Sequence, residues 1–231
     1  RDVLGSRGLG DVYKRQAQVC AKLPADVKLV AISKFHPDEY IMAAYEEGQR
    51  IFGESQEQEL RGKHERLPKD IEWHFIGHLQ TNKVKYIAPY ITMIEAVDSM
   101  KLMREINRQA EKSGRMIDVL MELHVANEET KYGLTPCAMR ELFAGGEWRT
   151  LGNVRIRGIM TMASNTDDEN IIAGEFAEAS NMFDEIKAQY FSDEESFNCR
   201  SWGMSGDYHI ACRCNSNMVR VGTTIFGPRV Y

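Results

Sequence analysis

Leu29–Gly48 reads LVAISKFHPDEYIMAAYEEG, and its two halves have different periods. Leu29-Val-Ala-Ile32 is a short apolar, partly β-branched run of the kind a buried strand needs. After the polar break around Pro37, Tyr40, Ile41, Ala44 and Tyr45 recur on one helical face, and Gly48 supplies a stop. The same strand-then-helix unit repeats along the chain. Arg50–Phe52 precedes a polar helix over 56–66, Trp73–Ile76 precedes a helix over 82–88, and Thr92–Ile94 precedes one opening at Ser99. Ile117–Val125 is followed by Thr135-Pro136, an N-cap with proline at the first helical position. Val154–Met160 is followed by Thr166-Asp-Asp-Glu169, which has capping-box spacing, and then by the longest helical pattern, with Ile172, Phe176, Ala179, Phe183 and Ile186 on one face. Arg200–Trp202 and Met218–Val221 complete eight strand-like runs.

Strands alternating with helices imply parallel pairing through right-handed crossovers. Eight such units in 231 residues fit an α/β fold of one closed (β/α)8 barrel. A doubly wound open sheet is the alternative that the pattern leaves open. No linker-like segment divides the chain. Hydrophobic residues at 43% and charged residues at 27% exclude a disordered chain. A net charge of −5 argues against a nucleic-acid binder, and no apolar run approaches the ~18 residues of a membrane span. Five scattered cysteines do not form a secreted disulfide framework. A cytoplasmic protein is the expectation.

Residues 1–16 stand apart. They lack an apolar stretch and a visible helical period, and DVYKRQ at Asp11–Gln16 matches an in-frame translation of a transposase sequencing adaptor. This segment is expected to be non-native and to stand where an N-terminal helix is missing, with the barrel proper over 17–231.

In a barrel of this kind, sites form where strands end, and phosphate often binds after strands seven and eight. The residues there are Lys34, Glu54-Ser55, His78, Thr161, Met204-Ser205-Gly206 and Gly222-Thr223-Thr224. A lysine at a strand mouth is partly desolvated, which favours the neutral amine that attacks an aldehyde. A rim lysine with no such role is the alternative. Ser205-Gly206 and Gly222-Thr223 combine small hydroxyl residues with glycine, so backbone N–H groups can approach an anion. Arg220 lies between Val219 and Val221, and strand alternation turns it to the opposite face. There it must meet a carboxylate, a ligand or the rim. The histidines and cysteines have no metal-site spacing, so no metal is expected.

Five strings, in order, are more specific: Val30–Pro37 (VAISKFHP), Phe52–Ser55 (FGES), Trp73–Lys83 (WHFIGHLQTNK), Gly203–Ser205 (GMS) and Met218–Gly227 (MVRVGTTIFG). With them the chain closely resembles the pyridoxal phosphate homeostasis protein family, single-domain relatives of the alanine racemase N-terminal barrel, from Leu29 to Tyr231. The resemblance implies that pyridoxal 5′-phosphate (PLP) is bound as a Schiff base on Lys34. It further implies phosphate contacts from Ser205, Gly222 and Thr223, and Arg220 facing the ring nitrogen. A guanidinium there opposes the pyridinium on which PLP enzymes draw as an electron sink. Racemases add a second base from a β-domain. The chain runs only a few residues past its last strand, so that domain is expected to be lacking and no residue is assigned a catalytic role.

The implied function is intracellular PLP homeostasis by a monomer without turnover, with PLP-dependent apo-enzymes as possible partners. A racemase-like enzyme, and a barrel binding another phosphate ester, are the competing readings. The chain departs from the family at Trp202, usually methionine, at the Ala211–Asn217 stretch (ACRCNSN), and at Ser55, often asparagine. Within that stretch, Asn215 can still take a left-handed cap.

Overall fold

In the computed structural model, which describes residues 3–126 and 132–228 and the side chains from residue 9 onward, eight parallel strands close into a barrel in sequence order. They are β1 (Lys28–Ile32), β2 (Ile51–Glu54), β3 (Glu72–Phe75), β4 (Met93–Val97), β5 (Ile117–Leu123), β6 (Val154–Thr161), β7 (Cys199–Ser201) and β8 (Met218–Val221). Closure is made by β1 against β8, in register from Lys28 beside Met218 to Ala31 beside Val221. That pairing excludes the open sheet. The helices are α1 (Val3–Lys22), α2 (Asp38–Glu46), α3 (Glu57–Arg66), α4 (Val84–Ile87) and α5 (Met100–Lys112), then α6 (Pro136–Gly145), α7 (Glu169–Tyr190), α8 (Tyr208–Arg213) and α9 (Thr223–Phe226). Tyr231, taken from the sequence as the end of the barrel, lies outside the described residues.

Strand alternation sorts side chains into two layers. Leu29 and Ala31 join the large apolar layer between strands and helices, with Phe52, Trp73, Phe143, Phe176 and Phe183. Val30 and Ile32 point the other way, into a smaller cluster with Met93, Leu120, Met160 and Met218 that fills the barrel lumen. Local signals behave as their chemistry requires. The Ser99 hydroxyl accepts from Leu102 N–H at the start of α5, and Thr135 accepts from Ala138 N–H before Pro136. Asn215 takes the left-handed conformation, with φ of 63°.

Two expectations are corrected. The cap of α7 is Asp168, which accepts from Asn170 N–H, while Thr166 accepts from Asp168 N–H one step earlier. The closer Asx acceptor displaces the threonine from the capping role. Residues expected to lack helical structure, where an N-terminal helix was thought missing, lie largely in α1. Val12, Gln16 and Val19 form a buried stripe along it, and Arg15 Nε donates to the Ile225 carbonyl at 2.7 Å. The stripe is too narrow to stand out in sequence. Docking of α1 beside α2 and α9 makes it helical by burial rather than by propensity.

Candidate functional site

A cavity of about 410 Å³ opens at the C-terminal ends of the strands. Into it come Lys34 after β1, Ser55 after β2, Gly77 and His78 after β3, and Glu122 from β5. Met204, Ser205 and Gly206 enter after β7, and Arg220, Gly222 and Thr223 from β8 and its turn. All five residues singled out in the sequence as PLP-binding (Lys34, Ser205, Arg220, Gly222 and Thr223) therefore share one cavity. Thr161 and Glu54, also at strand ends, do not line it. The Thr161 hydroxyl donates to the Leu123 carbonyl, and Glu54 turns away from the lumen toward α3.

The turns after β7 and β8 are built as one unit. Gly203, at φ 99°, lets α8 approach so closely that a Cβ would lie 2.5 Å from that of Ala211. Its carbonyl accepts from Arg220 N–H at 2.9 Å, so the seventh turn is tied to strand eight. The buried Asp207 carboxylate accepts from Met204 N–H and holds the Met204–Gly206 loop. Burial pushes this carboxyl up, against the pull of that hydrogen bond and of Arg220. The Ser205 hydroxyl accepts from Gly222 N–H at 3.2 Å and joins the two turns directly. At Gly222 a Cβ would stand 3.0 Å from the Ile32 carbonyl oxygen, so the eighth turn comes this near strand one only without a side chain.

Arg220 is 4% exposed. Nη1 donates to the Ser201 carbonyl and hydroxyl at 2.8 and 2.6 Å, and Nη2 donates to the Thr161 carbonyl at 2.7 Å. Behind it the Ser201 hydroxyl donates to Glu95 Oε2 at 2.6 Å, and Glu95 Oε1 lies 2.7 Å from His74 Nδ1. Glu95 is 3.7 Å from the guanidinium. Burial would raise the Glu95 carboxyl, but the His74 hydrogen bond and the charges of His74 and Arg220 overcome it and hold the group below its ordinary value. Burial also lowers Arg220, opposed by Glu95, Asp207 and Glu122. A charged arginine in the lumen is thus sustained by a carboxylate beneath it.

Sequence reading did not single out Glu122, Glu95 or His74 as a set. Glu122 is 3% exposed, and its Oε2 has no hydrogen-bond partner among the described residues. Burial, with Asp98 nearby, pushes its carboxyl up to about 7 against the pull of Arg220. The available signal was the placing of acidic residues among apolar ones inside strands, one in MIEAV and two in IDVLMEL. At the rim His78 pairs with Asp98 at 3.3 Å and stacks on Tyr132 with ring centroids 4.1 Å apart.

A parallel barrel with a lysine at the mouth of strand one, a hydroxyl-and-glycine cradle after strands seven and eight and an arginine in strand eight belongs to the class of alanine racemase-type barrels. The family model described as "Alanine racemase, N-terminal domain" matches residues 10–230. More narrowly, the chain belongs to the pyridoxal phosphate homeostasis protein family. The pyridoxal phosphate homeostasis protein of Aquifex aeolicus is 37% identical over 206 residues, 88% of each chain. That of Schizosaccharomyces pombe is 36% identical over 225 residues, 95% of this chain and 91% of the relative. PipY of Synechococcus elongatus, solved with PLP bound, superposes with a TM-score of 0.83 at 32% identity, covering 94% of this chain and all of that one. Alanine racemase of Clostridium difficile shares the fold, with a TM-score of 0.74 at 14% identity over 95% of this chain and 57% of that one. Among the described residues no helix is long and apolar enough to cross a membrane.

Proposed function

We propose that this protein binds PLP at the barrel mouth and acts in intracellular PLP homeostasis in the cytoplasm, as a monomer without catalytic turnover, exchanging the cofactor with PLP-dependent apo-enzymes. The observation that carries the reading is the shared cavity: one half-buried lysine amine, Lys34, faces a cradle made by Ser205, Gly222 and Thr223, with Arg220 on the floor. The donor set suits an aldehyde-bearing phosphate ester. Hydroxyls and turn N–H groups suit the phosphate, and the missing Gly222 side chain lets the eighth turn lie close against strand one beside Lys34. PLP supplies an aldehyde and an aromatic ring able to take up electron density. Lys34 would hold the aldehyde carbon as a Schiff base, its amine nitrogen forming the new bond as water leaves. Arg220, beside Glu95, would oppose a proton on the ring nitrogen and so weaken its pull on electrons. The names of the relatives and the PLP in PipY support the same reading. We also propose that residues 1–16 are of adaptor origin, with the PLP-binding barrel over 17–231.

The test is an absorbance titration with PLP, followed by borohydride reduction and peptide mapping. A near-visible band lost on reduction, with the pyridoxyl group on Lys34 and absent in Lys34→Ala, is the expected result. Label scattered over surface lysines would refute it. Glu122 favours a second reading, a racemase-like enzyme, because it places a titratable carboxyl in the cavity in addition to Lys34. An alanine racemase rate lost in both Lys34→Ala and Glu122→Gln would support that reading, and none is expected.

A further inference from the structure

The helix α3 carries a lysine that should not be buried. Apart from Leu60 and Gly62 its composition is polar, EQELRGKHER, yet Lys63 is 3% exposed. Its ammonium donates to the Ser33 carbonyl at 2.8 Å, to Glu54 Oε1 at 2.8 Å and to Glu59 Oε1 at 2.6 Å. The Ser33 hydroxyl donates to the same Glu54 oxygen at 2.6 Å, and Phe35 N–H donates to Glu59 Oε1 at 2.7 Å. Neither Glu54, Glu59 nor Lys63 lines the cavity. Burial pushes Glu54 up to about 7 against the attraction of Lys63.

The bonds fall at the two peptide groups that flank Lys34. The Ser33 carbonyl belongs to the peptide before its Cα, and the Phe35 N–H belongs to the peptide after it. Phe35 itself has φ of 63°, the left-handed region that a bulky side chain rarely enters. Such a conformation persists only where its surroundings over-determine it. We propose that Lys63, Glu54 and Glu59 form a positioning cluster that clamps both peptides around Lys34 and so aims its amine into the cavity. The inference rests on the reading of Lys34 as the lysine that holds PLP. The three residues are positioning residues, since they touch backbone and one another rather than the ligand.

The experiment uses the full chain with Glu59→Leu, which removes the acceptor of Phe35 N–H, and Glu59→Gln, whose amide oxygen can still accept it. Each is treated with PLP and borohydride, and the rate of labelling at Lys34 is read by peptide mapping. Affinity for pyridoxine 5′-phosphate, which has the phosphate but no aldehyde, is measured beside it, with the thermal midpoint. Glu59→Leu should slow Lys34 labelling about tenfold or more while Glu59→Gln stays within about threefold, because small misplacements of a reacting group cost this much. Binding of pyridoxine 5′-phosphate should not change in either.

Wild-type labelling in Glu59→Leu would overturn the proposal. So would loss of labelling together with pyridoxine 5′-phosphate binding, since that is the signature of a merely structural role. If Glu59→Leu does not fold, Lys63→Met combined with Glu54→Gln, which leaves neither member of that pair alone, carries the same test with the same two outcomes. Failure of wild-type Lys34 to take the pyridoxyl group would refute the PLP reading by itself. The positioning claim would then be decided by reductive methylation of Lys34 with formaldehyde, which should still be slower in Glu59→Leu than in Glu59→Gln, and equal rates would end it.

Discussion

Replacing Glu122 by glutamine should stabilise the fold at alkaline pH and do little at acid pH. The wild-type carboxyl is 3% exposed, with one oxygen that no described group satisfies, and burial lifts it from an ordinary 4.5 to about 7. Across that interval the folded state keeps a proton that the unfolded chain has already released. Stability therefore falls as pH rises from 4.5 to 7 and levels off above. The whole interval corresponds to about 3 kcal/mol. Glutamine keeps the volume and cannot ionise, so the variant escapes this loss. Urea unfolding of both proteins at about pH 4.5 and about pH 8.5 reads it directly: Glu122→Gln should be more stable by ~3 kcal/mol at the higher pH, with the gap shrinking to under ~1 kcal/mol at the lower. Glu54 is also held at about 7, but it is present in both proteins and cancels in the difference. A gap that does not change with pH, or one favouring wild type at pH 8.5, would refute the account of Glu122 as a desolvated carboxyl.

Other outcomes follow from the same contacts. Arg220→Met takes a charge partner from Glu95 and the donors from the buried Ser201 and Thr161 carbonyls, and should cost about 3–5 kcal/mol, a fall in Tm of roughly 10 °C. Adding Glu95→Gln should recover more than half of it, and strictly additive losses in this double-mutant cycle would sink the idea that the two charges sustain each other. Trp202→Met should lower Tm by several degrees for the ~2 kcal/mol of packing lost, while PLP affinity stays unchanged. Trp202 is fully buried, donates from Nε1 to the Cys214 carbonyl and does not line the cavity, so a calorimetric titration showing altered affinity would contradict this. Gly222→Ala puts a methyl 3.0 Å from the Ile32 oxygen and should weaken pyridoxine 5′-phosphate binding about tenfold, roughly 1.4 kcal/mol, and unchanged affinity would mean that the eighth turn does not cradle the phosphate.

Much of the fold was legible because its signals are local. The 3.6-residue period of Tyr40, Ile41 and Ala44, the cap at Ser99 and the proline after Thr135 each act within one or two turns of backbone. The five residues Lys34, Ser205, Arg220, Gly222 and Thr223 were legible for a related reason: in a barrel, position after a strand is position at the mouth. The family strings sharpened this further. What Trp202, a departure from the family, does was not legible: it is fully buried and donates from Nε1 to the Cys214 carbonyl at the end of α8. The character of α1 was missed because its apolar stripe, Val12 and Val19 with Gln16 between them, is too sparse to mark a helix without the surface it docks on.

By itself, then, the sequence determined the order of strand and helix and the chemistry set at the strand ends, since both are written in residue type and spacing. Only the tertiary structure decided that β1 closes on β8, that Glu95 and His74 stand beneath Arg220, that Glu122 enters the cavity unsatisfied, and that Lys63 lies buried behind Lys34. Each of these depends on contacts between segments remote in sequence and on the loss of water around a charged group. A carboxylate or an ammonium has the same letter whether solvated or buried, and its energetics are set by which distant groups the closed barrel brings to meet it.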